Sequence, residues 1–215
     1  MLLVLTGVTV VAVGLLAYVN ELTKEPIAAA NMKTLNDALK NVVPTFDNNP
    51  VADCDTIFEE KNGKQLIKFI VYPAKSGEQQ VGTAVQATSL GFGGEIKVLV
   101  GFDADGKIYD YALLAHAETP GLGSKADAWF KEGNKGSIVG LNPGEAPLVV
   151  KNDGGQIDAI TASTITTRAF LNAVNAAYSA YQGNPDAHTS ATQQSEDATT
   201  AATPHVEPAD SVSAN

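Results

Sequence analysis

The sequence predicts an α+β domain, an antiparallel sheet with flanking helices, preceded by one membrane-spanning helix. Three observations lead there: a charge-free apolar run at the N-terminus, a succession of strand-like runs with glycine-bearing turns, and a strong helical period near residue 164 onward. At 215 residues and 44% hydrophobic content, the chain is long enough for one well-cored domain plus accessory segments.

From Met1 to Asn20 there is no charged residue, and Leu2-Leu3-Val4-Leu5 through Leu15-Leu16-Ala17-Tyr18-Val19 is apolar at nearly every position. A helix of ~20 residues is about 30 Å long, enough to cross the hydrocarbon layer. The rival is a cleavable signal peptide, with an apolar region of ~7–15 residues and a small-x-small site soon after it. Ala28-Ala29-Ala30 offers such residues only after the polar stretch Asn20–Glu25, so residues 1–20 are expected to form an uncleaved anchor. No Lys or Arg precedes the span, so the positive-inside rule assigns no orientation; a natural start upstream of Met1, bearing Lys, would supply one.

Residues 21–64 read as an amphipathic helix and a connecting segment. Pro26 suits a first helical turn, and Ile27, Leu35, Leu39, Val42 and Val43 are its apolar positions. Pro44 ends that helix, and Asp47-Asn48-Asn49-Pro50 signals a loop. The main domain is expected over 65–182. Runs rich in Val, Ile and aromatics predict strands at Leu66–Tyr72, Val81–Thr88, Ile96–Phe102 and Lys107–Ala115. Asp103-Ala104-Asp105-Gly106 reads as a hairpin turn, and Gly91-Phe92-Gly93-Gly94 enters the third strand. Helical signals return at Ser124–Lys131, and a short apolar piece follows at Pro147–Val150. The last helix begins near Thr164, with Phe170, Val174, Ala177, Tyr178 and Tyr181 at the 3.6-residue period. Trp129, beside Phe130, reads as core.

From 183 to 215 the chain turns to Ala, Thr, Ser, Gln and Pro, with five acids and no Lys or Arg. Such a segment cannot bury enough apolar surface to offset its ordering entropy, so it is expected to be a disordered tail. It supplies half of the formal net charge of −10. With 14 basic residues against 24 acidic ones, nucleic acid is excluded as a partner, because phosphate binding is driven by Lys and Arg. The single Cys54 permits no intrachain disulfide or thiolate cluster, and His188 and His205 lie in the tail, so no metal triad with His116 is expected.

The segment Gln156–Arg168 places five hydroxyls before and at a helix start. Amides at a helix N-terminus are unpaired and favour an anion, and Arg168, four residues after Thr164, could add a charge-assisted contact. The plainer reading is that Thr161 or Ser163 caps the helix. Some 40 residues upstream, His116-Ala117-Glu118-Thr119-Pro120-Gly121-Leu122-Gly123-Ser124-Lys125 forms a Pro-Gly loop. Pro120, Gly121 and Gly123 allow close backbone approach, and Leu122 offers an apolar face to a flat ring. Glu118 could bond to the loop backbone or to a ligand edge. The plainer reading here is a surface turn after a strand.

Asp158-Ala159-Ile160-Thr161-Ala162-Ser163-Thr164 resembles the flavinylation motif of the FMN-binding domain family, with Ala162 and Ser163 where Gly and Ala are commoner. The Glu118–Gly123 loop, the Gly91–Ile96 segment and the apolar start followed by Asn20-Glu21-Leu22-Thr23-Lys24 resemble one branch of that family. It is the RnfG branch, from the Rnf electron transport complex, together with its relative in the sodium-pumping NADH:quinone oxidoreductase. The resemblance spans about residues 1–181. It implies FMN in phosphoester linkage to Thr164, attached from FAD by a flavin transferase that Asp158 helps to recruit. It also implies cofactor contacts from Glu118, Thr119, Gly121, Leu122, Gly123, Lys125, Thr161, Ile165 and Thr166. The implied partners are the other members of a complex coupling ferredoxin and NAD electron transfer to Na⁺ or H⁺ translocation, without independent turnover. The implied location is the bacterial cytoplasmic membrane, single-pass, with the flavin domain on the extracytoplasmic side. The alternative is a membrane-anchored binding module without a redox cofactor.

Overall fold

The computed structural model describes residues 1–61 and 64–184, so the expected acidic tail from 183 onward lies almost wholly outside the described residues. Five strands, β1 (Asp55–Lys61), β2 (Lys64–Ser76), β3 (Gln79–Leu90), β4 (Glu95–Asp103) and β5 (Ile108–Ala115), form one antiparallel sheet in the order β1-β2-β3-β4-β5. The four expected strands are its last four. β1 is a fifth, where the sequence suggested only connecting chain. Four of its seven residues are charged, so its strand pattern is faint, and an edge position tolerates that composition. The Asp103–Gly106 turn forms as expected. Gly106 has φ +78°, and Asp103 Oδ1 accepts from the Asp105 and Lys107 amides, each at 2.9 Å.

Alternation along β4 sorts the two faces of the sheet. Val98, Val100 and Phe102 join the larger core with α3 (Thr164–Tyr181), whereas Leu99 faces the smaller core with the end of α1. On the α3 side, Phe170 stacks on Phe130 with centroids 4.2 Å apart and meets Tyr111 edge-on at 4.9 Å. Tyr178 and Tyr181 flank Phe102 at 5.6 and 5.0 Å. Asn175 fixes the approach to α3 by a reciprocal pair with Leu148: its Oδ1 accepts from the Leu148 amide at 2.9 Å, and its Nδ2 donates to the Leu148 carbonyl at 2.8 Å. Trp129, at the end of the one-turn α2 (Ala126–Trp129), packs against this core and donates from Nε1 to the Asp158 carbonyl at 2.8 Å.

α1 corrects the sequence reading at one point. It runs unbroken from Leu2 to Val42, through Pro26, instead of restarting there. Proline removes one backbone bond and crowds the preceding turn. The Ala28–Ala30 run and the flanking Glu and Lys residues are strong helix formers that carry the helix past it. The helix is long and apolar enough to cross a membrane and is exposed over most of its length. Its last turn is different: Ala38, Leu39 and Val42 are buried with Tyr72, Ala84 and Leu99. A Cβ on Gly101 would collide with the Val42 carbonyl, so that glycine is what lets the helix end lie directly on β4.

Candidate functional site

The two chemistry-bearing segments meet at one corner of the domain. Thr119 to Leu122 form a tight turn in which Pro120 presets φ and Gly121 takes φ +76°, with the Leu122 amide donating to the Thr119 carbonyl at 3.1 Å. Ser124 Oγ accepts from the Gly121 amide at 2.9 Å and braces the turn. A 3-10 turn (Gly123–Lys125) then leads into α2. Leu122 stays 40% exposed, so its apolar face is available to a ligand. Thr119 and Lys125 are exposed as well.

On the facing segment, Ser163 occupies the position before α3 and makes no side-chain cap bond, so the plainer reading of a capping hydroxyl does not hold at Ser163. The Thr167 amide donates to the Ser163 carbonyl at 3.0 Å, which leaves the amides of Thr164, Ile165 and Thr166 as the first-turn donors. Thr167 Oγ1 also donates to the Ser163 carbonyl and accepts from the Ile160 amide, fixing the entry to the helix. Among the described residues, Ala162 is the one non-glycine with positive φ, +62°. That is the position where the related motif commonly has Gly, and the backbone supplies the reason.

Thr164 is half-buried, Ile165 is exposed, and Thr166 is buried. With 3.6 residues per turn, Thr164 and Thr166 point about 160° apart around the helix. Thr166 therefore faces the loop: its Oγ1 donates to Glu118 Oε2 at 2.6 Å, across 48 residues of sequence. Glu118 Oε1 accepts from the Gly93 amide at 3.1 Å, and the Glu118 amide donates to His116 Nδ1 at 3.3 Å. Of the two roles left open for Glu118, the structure places it on the protein's own backbone and on Thr166. The Glu118 and Thr166 side chains, both expected from sequence at the cofactor site, are thus joined to each other at the meeting of the two segments.

Thr164 shares its flank of the helix with Arg168, but Arg168 is already engaged. Its Nε and Nη2 donate to the two oxygens of Asp153, each at 2.7 Å. The bond to Arg168 holds the Asp153 carboxyl below the usual range. Arg168, the cation that sequence placed near a phosphate, thus also forms a bidentate ion pair that sequence spacing did not reveal. Asp158 pairs with Lys151 at 2.7 Å, on the exposed surface beside the motif. No group of three or more His, Cys, Asp or Glu among the described residues is placed to hold a metal. A groove of about 600 Å³, lined by residues such as Asp103, Lys107, Asp110 and Lys131, lies at the other end of β5 and is not part of this corner.

These elements coincide with known families. Residues 91–179 match the FMN-binding domain family, and residues 3–42, nearly all of α1, match the RnfG N-terminal region. The G-type subunit of an ion-translocating oxidoreductase complex from Cereibacter sphaeroides is 35% identical over 173 residues, covering 78% of this chain and 76% of the relative. The protein of the same description from Stutzerimonas stutzeri is 36% identical over 164 residues, covering 72% and 68%. That from Vibrio cholerae serotype O1 is 33% identical over 181 residues, covering 81% and 86%.

Proposed function

The chain belongs to the RnfG family, the G-type subunits of ion-translocating oxidoreductase complexes, and from that premise we propose that it carries FMN as a phosphoester of Thr164 and passes electrons inside such a complex. The observation that carries the reading is the uncapped start of α3, with a half-buried hydroxyl at its first residue, set against a Pro-Gly loop of the same FMN-binding domain.

The residues fit the group. First-turn amides and the helix dipole suit a phosphate. Ile165 and Leu122, 54% and 40% exposed, offer apolar surface to a flat ring system. Lys125 supplies a cation on the loop side, and Thr119, Thr161 and the backbone at Gly121 and Gly123 supply polar contacts. FMN, when bound, provides the electron-accepting and electron-releasing chemistry; the protein fixes its place and surroundings.

Maturation requires Thr164 Oγ to form a bond to the flavin-side phosphorus of FAD. The pyrophosphate P–O bond breaks, AMP leaves, and the hydroxyl proton passes to a base of the flavin transferase. Asp158, held at the surface by Lys151, presents the motif to that enzyme. Covalent attachment retains the cofactor on the extracytoplasmic side of a bacterial cytoplasmic membrane, where α1 anchors the domain as a single span. The other subunits of the complex donate and accept the electrons, coupled to Na⁺ or H⁺ movement. The FMN-binding domain match favours this reading over a binding module without flavin.

Co-expression with a flavin transferase tests the proposal. The denatured protein band should fluoresce under ultraviolet light, and Thr164→Ala should be dark. Equal bands from both, bright or dark, would refute attachment at Thr164.

A further inference from the structure

We propose that Glu118 and Thr166 are positioning residues for the flavin site: one buried carboxylate clamps the Thr119–Gly123 loop, the β3–β4 turn and the first turn of α3 into a single arrangement. This rests on the function proposed above and deepens it, because the clamp sets how Thr164 and the loop face each other.

The geometry is built around that carboxylate. Glu118 is 6% exposed and Thr166 1%. A buried carboxylate is costly unless its oxygens are met, and here both are: Oε1 by the Gly93 amide and Oε2 by the Thr166 hydroxyl. Space is cleared for it from two directions. A Cβ on Gly91 would collide with Glu118 Oε1, and one on Gly123 would lie 2.5 Å from Oε2 and 2.9 Å from Thr166 Oγ1. A Cβ on Gly93 would collide with the Ala117 carbonyl. Three glycines in two separate segments thus accommodate the protein's own side chain and loop backbone. Gly121, with open space around it and φ +76°, is there for its backbone conformation instead.

Thr166 sits two residues after Thr164 in the same helical turn, so anything that shifts Thr166 shifts the attachment hydroxyl. Glu118 immediately precedes the turn that carries Leu122. The hydrogen bond between them is therefore the direct link between the two walls of the site, and neither side chain needs to touch the flavin to control it.

The test uses the full chain, a flavin transferase and FAD, with Glu118→Ala, Thr166→Val, Thr166→Ser and the double variant Glu118→Ala/Thr166→Val. The expected initial rate of flavin attachment falls by about tenfold or more in the first two, since misplacement by ~1 Å can cost up to ~100-fold. Thr166→Ser, which keeps the hydroxyl, recovers a rate near wild type. The double variant is no slower than the slower single one, because the two changes break one shared contact. Labelled to completion, Glu118→Ala and Thr166→Val show an altered visible circular dichroism spectrum of the flavin, and Thr166→Ser does not. Wild-type rates and spectra in Glu118→Ala and Thr166→Val would overturn the clamp while leaving attachment at Thr164 intact. An unfolded Thr166→Val would also overturn it, by making the pair a determinant of the fold alone. Failure to label wild-type Thr164 would overturn the proposed function and the clamp together.

Discussion

Replacing Ala162 by glycine should stabilise the domain without impairing flavin attachment. Ala162 holds φ +62°, in the left-handed region where a Cβ crowds the following carbonyl and costs roughly 1–2 kcal/mol. Its side chain is exposed, so glycine removes no packing. Against the relief of strain stands the greater freedom of glycine in the unfolded chain, about 0.4–1 kcal/mol. The difference favours the variant by about 0.5–1 kcal/mol, which corresponds to a rise in Tm of roughly 2–5 °C for a domain of this size. Thermal and urea unfolding of the full-length protein in detergent, followed by far-ultraviolet circular dichroism, would measure it. Flavin incorporation, assayed in parallel, should equal or exceed wild type, because the backbone keeps its path into α3. A lower Tm for Ala162→Gly, or poorer labelling, would refute the strain account of this position. Ala162→Val provides the opposite control: a β-branched residue at positive φ should destabilise measurably.

Two further outcomes follow from the packing. Gly101→Ala would drive a Cβ into the Val42 carbonyl and should destabilise the domain by about 1–3 kcal/mol, seen as a lower urea midpoint; an unchanged midpoint would show that the helix end is not seated on β4. In alkali, burial pushes the Tyr72 phenol up to about 12 and raises that of Tyr111 further, so the folded state keeps protons that the unfolded state loses near pH 10. Their contribution is complete below pH 10 and declines as pH rises toward the folded values. Unfolding at high pH should therefore coincide with tyrosinate absorbance near 295 nm, and Tyr72→Phe should shift it to higher pH.

The extent to which the sequence announced this structure varies with the range of the interactions. β2 to β5 were legible because their Val, Ile and aromatic runs are bounded by turn residues, and α3 because Phe170, Val174 and Ala177 keep one face. β1 was hidden by its charges, and the continuity of α1 by a proline that a long helix tolerates. At the site, local features were readable: Thr164 at a helix start, Pro120-Gly121 as a turn, and Ala162 at a position where glycine is commoner. The pairings were not. Glu118 with Thr166 spans 48 residues, and Arg168 with Asp153 spans 15, and no period or spacing marks such partners. The role of Gly91 and Gly123 in admitting a carboxylate likewise emerges only once the three segments stand together.

Trypsin should release residues 152–168 as one peptide, because Lys151 and Arg168 bound a stretch without other Lys or Arg. It contains Thr161, Ser163, Thr164, Thr166 and Thr167, so fragmentation mass spectrometry can assign a modification among five hydroxyls. In protein matured with a flavin transferase, this peptide should carry the mass of FMN less one water, located on Thr164. An unmodified peptide, or the added mass on any of the other four hydroxyls, would contradict the account.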